Sequence, residues 1–299
     1  MKAAGRSAIV IAYFLIYVVW GSTYYFIGVA LKGFPTFLLG ALRFSVAGAV
    51  LLLLCRLRGE RVWRPALIRR SAVSGIVLLF VDMAVIMLAQ RYVSSSVVAI
   101  VASSTAIWIM LLDVPMWRRN FHRVATVAGV AVGFAGVGML YVEQLHAERA
   151  AGAHGEYGIL ILMAGCLSWA VGSLYAKYRA SAVEEVNASA GSAWQMLFAS
   201  LMFSLCAGLS GEWRTVRLAE VGPSAWWALL YLILFGSILA YSAYVWLLKV
   251  RPATEVATHA YVNPVVAVIL GCMGGETITA IQLAGLAVIL GSVLLVNRK

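Results

Sequence analysis

Ten apolar runs of about twenty residues, set apart by short polar connections, restrict this chain more than any other feature. They cover residues 8–30, 35–55, 70–90, 94–115, 124–142, 156–176, 188–208, 225–247, 253–272 and 279–296. A helix of about 20 apolar residues is just long enough to cross the hydrocarbon of a bilayer. The composition fits the same reading: of 299 residues, 63% are hydrophobic and 12% charged, where a soluble domain is roughly half apolar and about a quarter charged. The short alternating segments of a membrane β-barrel are missing from the pattern. The expected fold is therefore an all-α integral membrane protein with ten transmembrane helices.

The net charge of +11 would suggest nucleic acid on a soluble protein. Here the basic residues lie between the apolar runs, so they read as topology and not as a nucleic-acid surface. Seventeen Lys and Arg fall in the amino-terminal segment, the even-numbered connections and the carboxyl end; five fall on the other side, and Arg43 lies within a span. That asymmetry places both termini in the cytoplasm. The first run follows Lys2 and Arg6, is longer than a signal-peptide core, and reads as a retained span. The four cysteines sit in or at the ends of apolar runs and read as small buried hydrophobes, with no disulfide or metal set implied.

The last stretch, Pro252 to Val296, has a fainter copy from Ser94 to Val142. Thr105-Ala106 stands where Asn263-Pro264 stands, and GVAVGFAGVGML from Gly129 matches GLAVILGSVLLV from Gly285. The longest connection, Glu143 to Gly155, divides the chain into residues 1–150 and 151–299. Five spans per unit is an odd number, so the second unit enters the membrane from the opposite side. A 5+5 inverted repeat of this kind suits a carrier whose central site opens to either face.

Several residues are candidates for that site. Tyr13, Tyr17, Trp20 and Tyr24 share one face of the first span. Cys166, Trp169 and Ser173 do the same on the sixth, with Trp169 the counterpart of Trp20. Trp108, one turn beyond Ser104 and Thr105, is a third aromatic candidate. Aromatic faces at mid-membrane suit a substrate with a flat apolar side chain, or they serve packing alone. Asp82 and Arg43 are the deep acid and the deep base, each about 12 Å from the outer end of its span by helical rise. Equal depth on consecutive antiparallel helices points to an ion pair. The alternative is that one or both meet the substrate's charged groups, or that Asp82 carries a proton. His259 lies one turn after Glu255 and one turn before Asn263. It reads as substrate-facing or as a hydrogen-bonded packing histidine; Glu255 and His259 have metal-ligand spacing but no third ligand, so no metal site is expected. Pro264 removes a backbone donor in mid-span and marks a kink or a gating bend. Gly129, Gly133, Gly136, Gly285 and Gly291 read as packing seams.

The order and spacing of Trp20-Gly21-Ser22, Ala240-Tyr241 before a basic turn, Asn263-Pro264, and Glu276 to Gly291 as E-x5-Q-x2-G-x5-G resemble the EamA type of the drug/metabolite transporter superfamily, over nearly the whole chain. The similarity is greatest to its bacterial aromatic amino acid exporters. It implies a ten-helix inner-membrane carrier with a cavity lined by both repeats, in which Tyr241 joins the other candidates for substrate contact. One departure is that Asn120 stands in the first copy where Glu276 stands in the second.

Walker A, nucleophile-elbow and zinc-histidine motifs are absent. The expected function is thus a secondary transporter, not an enzyme. It would export aromatic and other neutral amino acids by alternating access and facilitated transport, as a uniporter with no cofactor, acting as a monomer in the lipid bilayer. The alternative is a carrier of other metabolites or drugs, with or without proton coupling. An intramembrane metalloenzyme on Glu255 and His259, or a channel, would belong to a different class.

Overall fold

The computed structural model describes residues 6–121, 124–151, 155–180 and 188–297, and all regular structure among them is helical. Nine helices there are long and apolar enough to cross a membrane. They are α1 (Arg6–Leu31), α2 (Thr36–Leu57), α3 (Pro65–Ala89), α4 (Ser95–Leu112), α5 (apolar over Val124–Glu143), α6 (Tyr157–Tyr178), α7 (Ala188–Leu209), α8 (Pro223–Val250) and α9 (Ala253–Met273). A further helix, α10 (Ala280–Asn297), contains the shorter apolar segment Ala280–Ser292.

Two boundaries differ from the expected ones. α3 begins at Pro65, where proline's fixed φ and missing N–H suit the first helical turn. α5 does not end at Glu143: its helix runs on to Ala151, through the segment expected to be a polar connection. That segment is rich in Ala, Glu, Gln and Leu, which are strong helix formers even outside the membrane.

The helix pairings follow a pattern. α2 packs on α7, and α5 on α10. α1 meets α8 and α9, while α6 meets α3 and α4. α2 meets α8, and α7 meets α3. Exchanging each of the first five helices for the one five places later returns the same set of pairs. Small residues make these approaches possible. A side-chain carbon at Gly136 would lie 2.8 Å from Ile289, and one at Gly285 would lie 2.8 Å from Leu140. Gly291, expected in the same seam, has nothing within 4 Å of that position.

Several helices are irregular where they approach the centre. Wider π turns interrupt α1 at Leu15–Val19, α3 at Gly75–Val81 and α8 at Leu232–Tyr241. α4 breaks at Ser103 and Ser104, and α9 at Ala257 and Thr258. Such breaks free backbone carbonyls, which membrane proteins tolerate where another group satisfies them or a cavity is lined.

Glu276, from the turn after α9, fastens one end of the molecule. Its Oε1 accepts from the backbone N–H and the hydroxyl of Ser95, and its Oε2 accepts from the same two groups of Ser96. A carboxylate here satisfies orphan donors at the start of α4 and sits at the positive end of its dipole. Thr279 and Gln282 then form a reciprocal cap at the start of α10: each side-chain oxygen accepts from the other's backbone N–H.

Glu276→Gln turns an acceptor into a donor that faces donors. We expect it to cost about 1–3 kcal/mol and to lower the unfolding temperature of the purified protein in detergent. Glu220→Gln, which breaks the exposed pair with Arg217, is the control and should shift it little. Equal melting of the two variants would mean that the cap does not hold α4.

Candidate functional site

A cavity opens between α1, α2, α3, α4, α6 and α9. Trp20, Tyr24, Arg43, Asp82, Trp169, His259 and Asn263 all line it, together with Thr23, Met83, Ile86 and part of α4 around Ser103 and Thr105.

The irregular helices place these side chains. The π turn of α1 ends immediately before Trp20, and that of α3 immediately before Asp82. The π turn of α8 carries Gly236 and Ser237, which stand behind the cavity wall. Trp20 and Trp169 meet edge to face with ring centroids 5.3 Å apart. Trp20 also lies 5.0 Å from Tyr244 and 5.4 Å from His259. The indole N–H of Trp20 donates to the Gly236 carbonyl at 3.1 Å. The indole N–H of Trp169 donates to the Tyr244 hydroxyl at 3.1 Å. Ser173 spends its own proton on the Trp169 carbonyl, so Tyr244 donates to Ser173 at 2.6 Å. The aromatic wall is thus fixed by a closed set of hydrogen bonds.

α1 is held against α9 by the other two residues of the Trp-Gly-Ser motif and by Asn263. A side-chain carbon at Gly21 would lie 2.9 Å from Val266 Cβ and 3.0 Å from Asn263 Cα. Ser22 donates to the Val19 carbonyl and accepts from Tyr231 at 2.7 Å. The amide nitrogen of Asn263, turned toward α1, donates to the carbonyls of Ile16 at 2.9 Å and Tyr17 at 2.8 Å. Those carbonyls belong to the π turn. Further along the same interface, Tyr17 bonds Thr258 at 2.7 Å, and Tyr13 donates to Glu255 at 3.0 Å.

His259 bonds the Val256 carbonyl through Nδ1 at 2.9 Å. A carbonyl only accepts, so Nδ1 carries the proton, and in the neutral ring Nε2 is an acceptor. Glu255 is engaged by Tyr13 and Arg251. Among the described residues no group of three His, Cys, Asp or Glu could hold a metal.

The ion pair expected between Arg43 and Asp82 is not formed: among the described residues nothing joins them within salt-bridge distance. Arg43 is 3% exposed and Asp82 6%. The Nε of Arg43 donates instead to Ser237 at 2.8 Å, and its guanidinium lies 4.8 Å from the centre of the Phe44 ring. The lateral partner of Arg43 on α8 was not legible from sequence.

Three other candidates lie outside the cavity lining. Tyr241 is buried behind Trp20, and its hydroxyl donates to Gln195 at 2.8 Å. Trp108 packs edge-on against Phe134 at 5.2 Å, with its indole nitrogen buried and unpartnered. Pro264 lies inside α9, one residue beyond Asn263. Ser237 and Tyr244 were not anticipated. Their signal was the 4, 3 spacing of Ser237, Tyr241 and Tyr244, the same kind of polar stripe noted on the first span.

A sequence model described as the EamA-like transporter family matches residues 7–142 and residues 156–298. The chain is 34% identical to a protein of Escherichia coli K12 named "Uncharacterized inner membrane transporter YedA", over 96% of this chain and 89% of that one. It is 26% identical to a "Probable amino-acid metabolite efflux pump" of Salmonella typhimurium LT2, over 92% and 90% of the two chains. One solved crystal structure of a protein shares 22% identity and the fold, with a TM-score of 0.68 and 97% of each chain covered.

Asn263→Ala would remove the amide that bonds α9 to the Ile16 and Tyr17 carbonyls of α1. The expected cost is about 1–3 kcal/mol, read as a lower unfolding temperature in detergent. An unchanged melt would mean that Asn263 does not clamp α1 to α9.

Proposed function

The chain belongs to the EamA-like transporter family, and from that premise we propose a secondary carrier that exports aromatic and other neutral amino acids by alternating access, without ion coupling. The observation that carries the substrate side is the pairing of Trp20 and Trp169, one from each half of the chain, across a cavity lined by both halves. Aromatic edges and faces bind flat side chains well beyond their buried area. The efflux direction draws support from the name of the Salmonella relative.

The proposed architecture is ten spans in a 5+5 inverted repeat, with both termini in the cytoplasm. Its support is the family model matching each half, the exchange symmetry of the helix pairs and the distribution of basic residues. Reporters fused before Met1 and after Lys299 should both signal from the cytoplasm. Opposite signals would reject the span count.

A second reading is proton antiport. It is favoured by Asp82, which faces the cavity without the cation expected to neutralise it. Uptake of L-phenylalanine into proteoliposomes, with and without a pH gradient, decides between the two. Uniport predicts equilibration without the gradient; strict dependence on it would establish antiport instead. Trp20→Ala and Trp169→Ala should each weaken phenylalanine relative to alanine by about tenfold, from loss of an aromatic contact and its buried area. An unchanged preference in both variants would remove the aromatic-site assignment.

A further inference from the structure

The charges of the cavity specify more than an aromatic surface. Arg43 and Asp82 are nearly inaccessible to solvent, share one cavity and do not touch. Burying two opposite charges apart is costly, because each loses hydration without gaining the other. The molecule nonetheless keeps them separate. Ser237 draws in the Nε of Arg43, and Phe44 supports the guanidinium plane. Glycine at 236 leaves room for that plane: a side-chain carbon there would lie 3.1 Å from a terminal guanidinium nitrogen. Asp82 lies against Gly165, where a side-chain carbon would stand 3.5 Å from Oδ1, an ordinary contact. The terminal nitrogens of Arg43 meet no oxygen among the described residues; their one recorded contact is with the sulfur of Met83, at 4.0 Å. The Asp82 carboxylate receives no hydrogen bond from the described residues. Each charge is therefore held in place by its neighbours and left unanswered on its cavity side.

A guanidinium with free terminal donors presents a fork that fits a carboxylate. A carboxylate without donors is the complement of an ammonium. We propose that Arg43 and Asp82 form a two-ended clamp for the α-carboxylate and α-ammonium of one zwitterionic amino acid, with the side chain directed to the Trp20–Trp169 wall. This rests on the amino-acid reading above and narrows it. The substrate must have both ends free. Amines leave Arg43 unanswered, organic acids leave Asp82 unanswered, and only the zwitterion neutralises both.

The test uses the full-length protein in detergent and three probes: L-phenylalanine, N-acetyl-L-phenylalanine and L-phenylalaninamide. Affinity is read from the concentration dependence of thermal stabilisation. Blocking either end should weaken binding at least about tenfold, the size of a lost charge-assisted hydrogen bond. Asp82→Asn should bind the N-acetyl compound and the parent alike while still discriminating against the amide. Arg43→Gln should show the reverse. If the variants do not fold, the three probes on the native protein decide the matter. A blocked compound that binds the native protein as tightly as phenylalanine overturns the clamp and leaves the carrier reading standing. Failure of all three to bind, with no phenylalanine flux in proteoliposomes, overturns the amino-acid reading and the clamp with it.

Discussion

Inside hydrocarbon a backbone carbonyl without a donor is costly, because no water is present to replace it. In the wide turn of α1 at Leu15–Val19 the carbonyls of Ile16 and Tyr17 accept from the Asn263 amide of α9. Gly21 lets the helices come close enough for this. The same contact sets Trp20 beside His259. One side-chain amide thus ties the irregular turn of α1 to α9 beside the cavity.

Polarity at the centre divides into two sets. Trp20, Trp169, Tyr244, Ser173 and Tyr241 have their hydrogen-bonding groups matched to protein partners. Their role is to hold rings in place. Arg43, Asp82 and the Nε2 of His259 keep capacity to spare, and all three residues line the cavity. A fully satisfied network stiffens a protein interior, while a partly satisfied one is expensive unless something else completes it. Those three residues thus bring their free capacity to the cavity itself.

Much of the fold could be read from the chain. Apolar run length gave the helices to within a few residues, because hydrocarbon thickness leaves little freedom. The exception was α5, whose extension beyond Glu143 depends on helix propensity outside the membrane, where apolar periodicity is silent. At the site, aromatic spacing located Trp20, Tyr24 and Trp169, since residues one turn apart share a face. The partner of Arg43 was missed. Depth along a span can be counted from sequence; rotation about its axis, shifted here by π turns in α3 and α8, cannot. The same limit hid Tyr244, and it led Tyr241 and Trp108 to be counted as cavity residues although both turn elsewhere.

The cap on α4 has a counterpart only in part. The turn after α4, related to the Glu276 turn by the internal similarity, carries Asn120. An amide has no charge to offer a helix dipole and only one oxygen to share. The Glu276 carboxylate thus works as a latch between α9 and α4, and any movement that parts the two must first find it other donors.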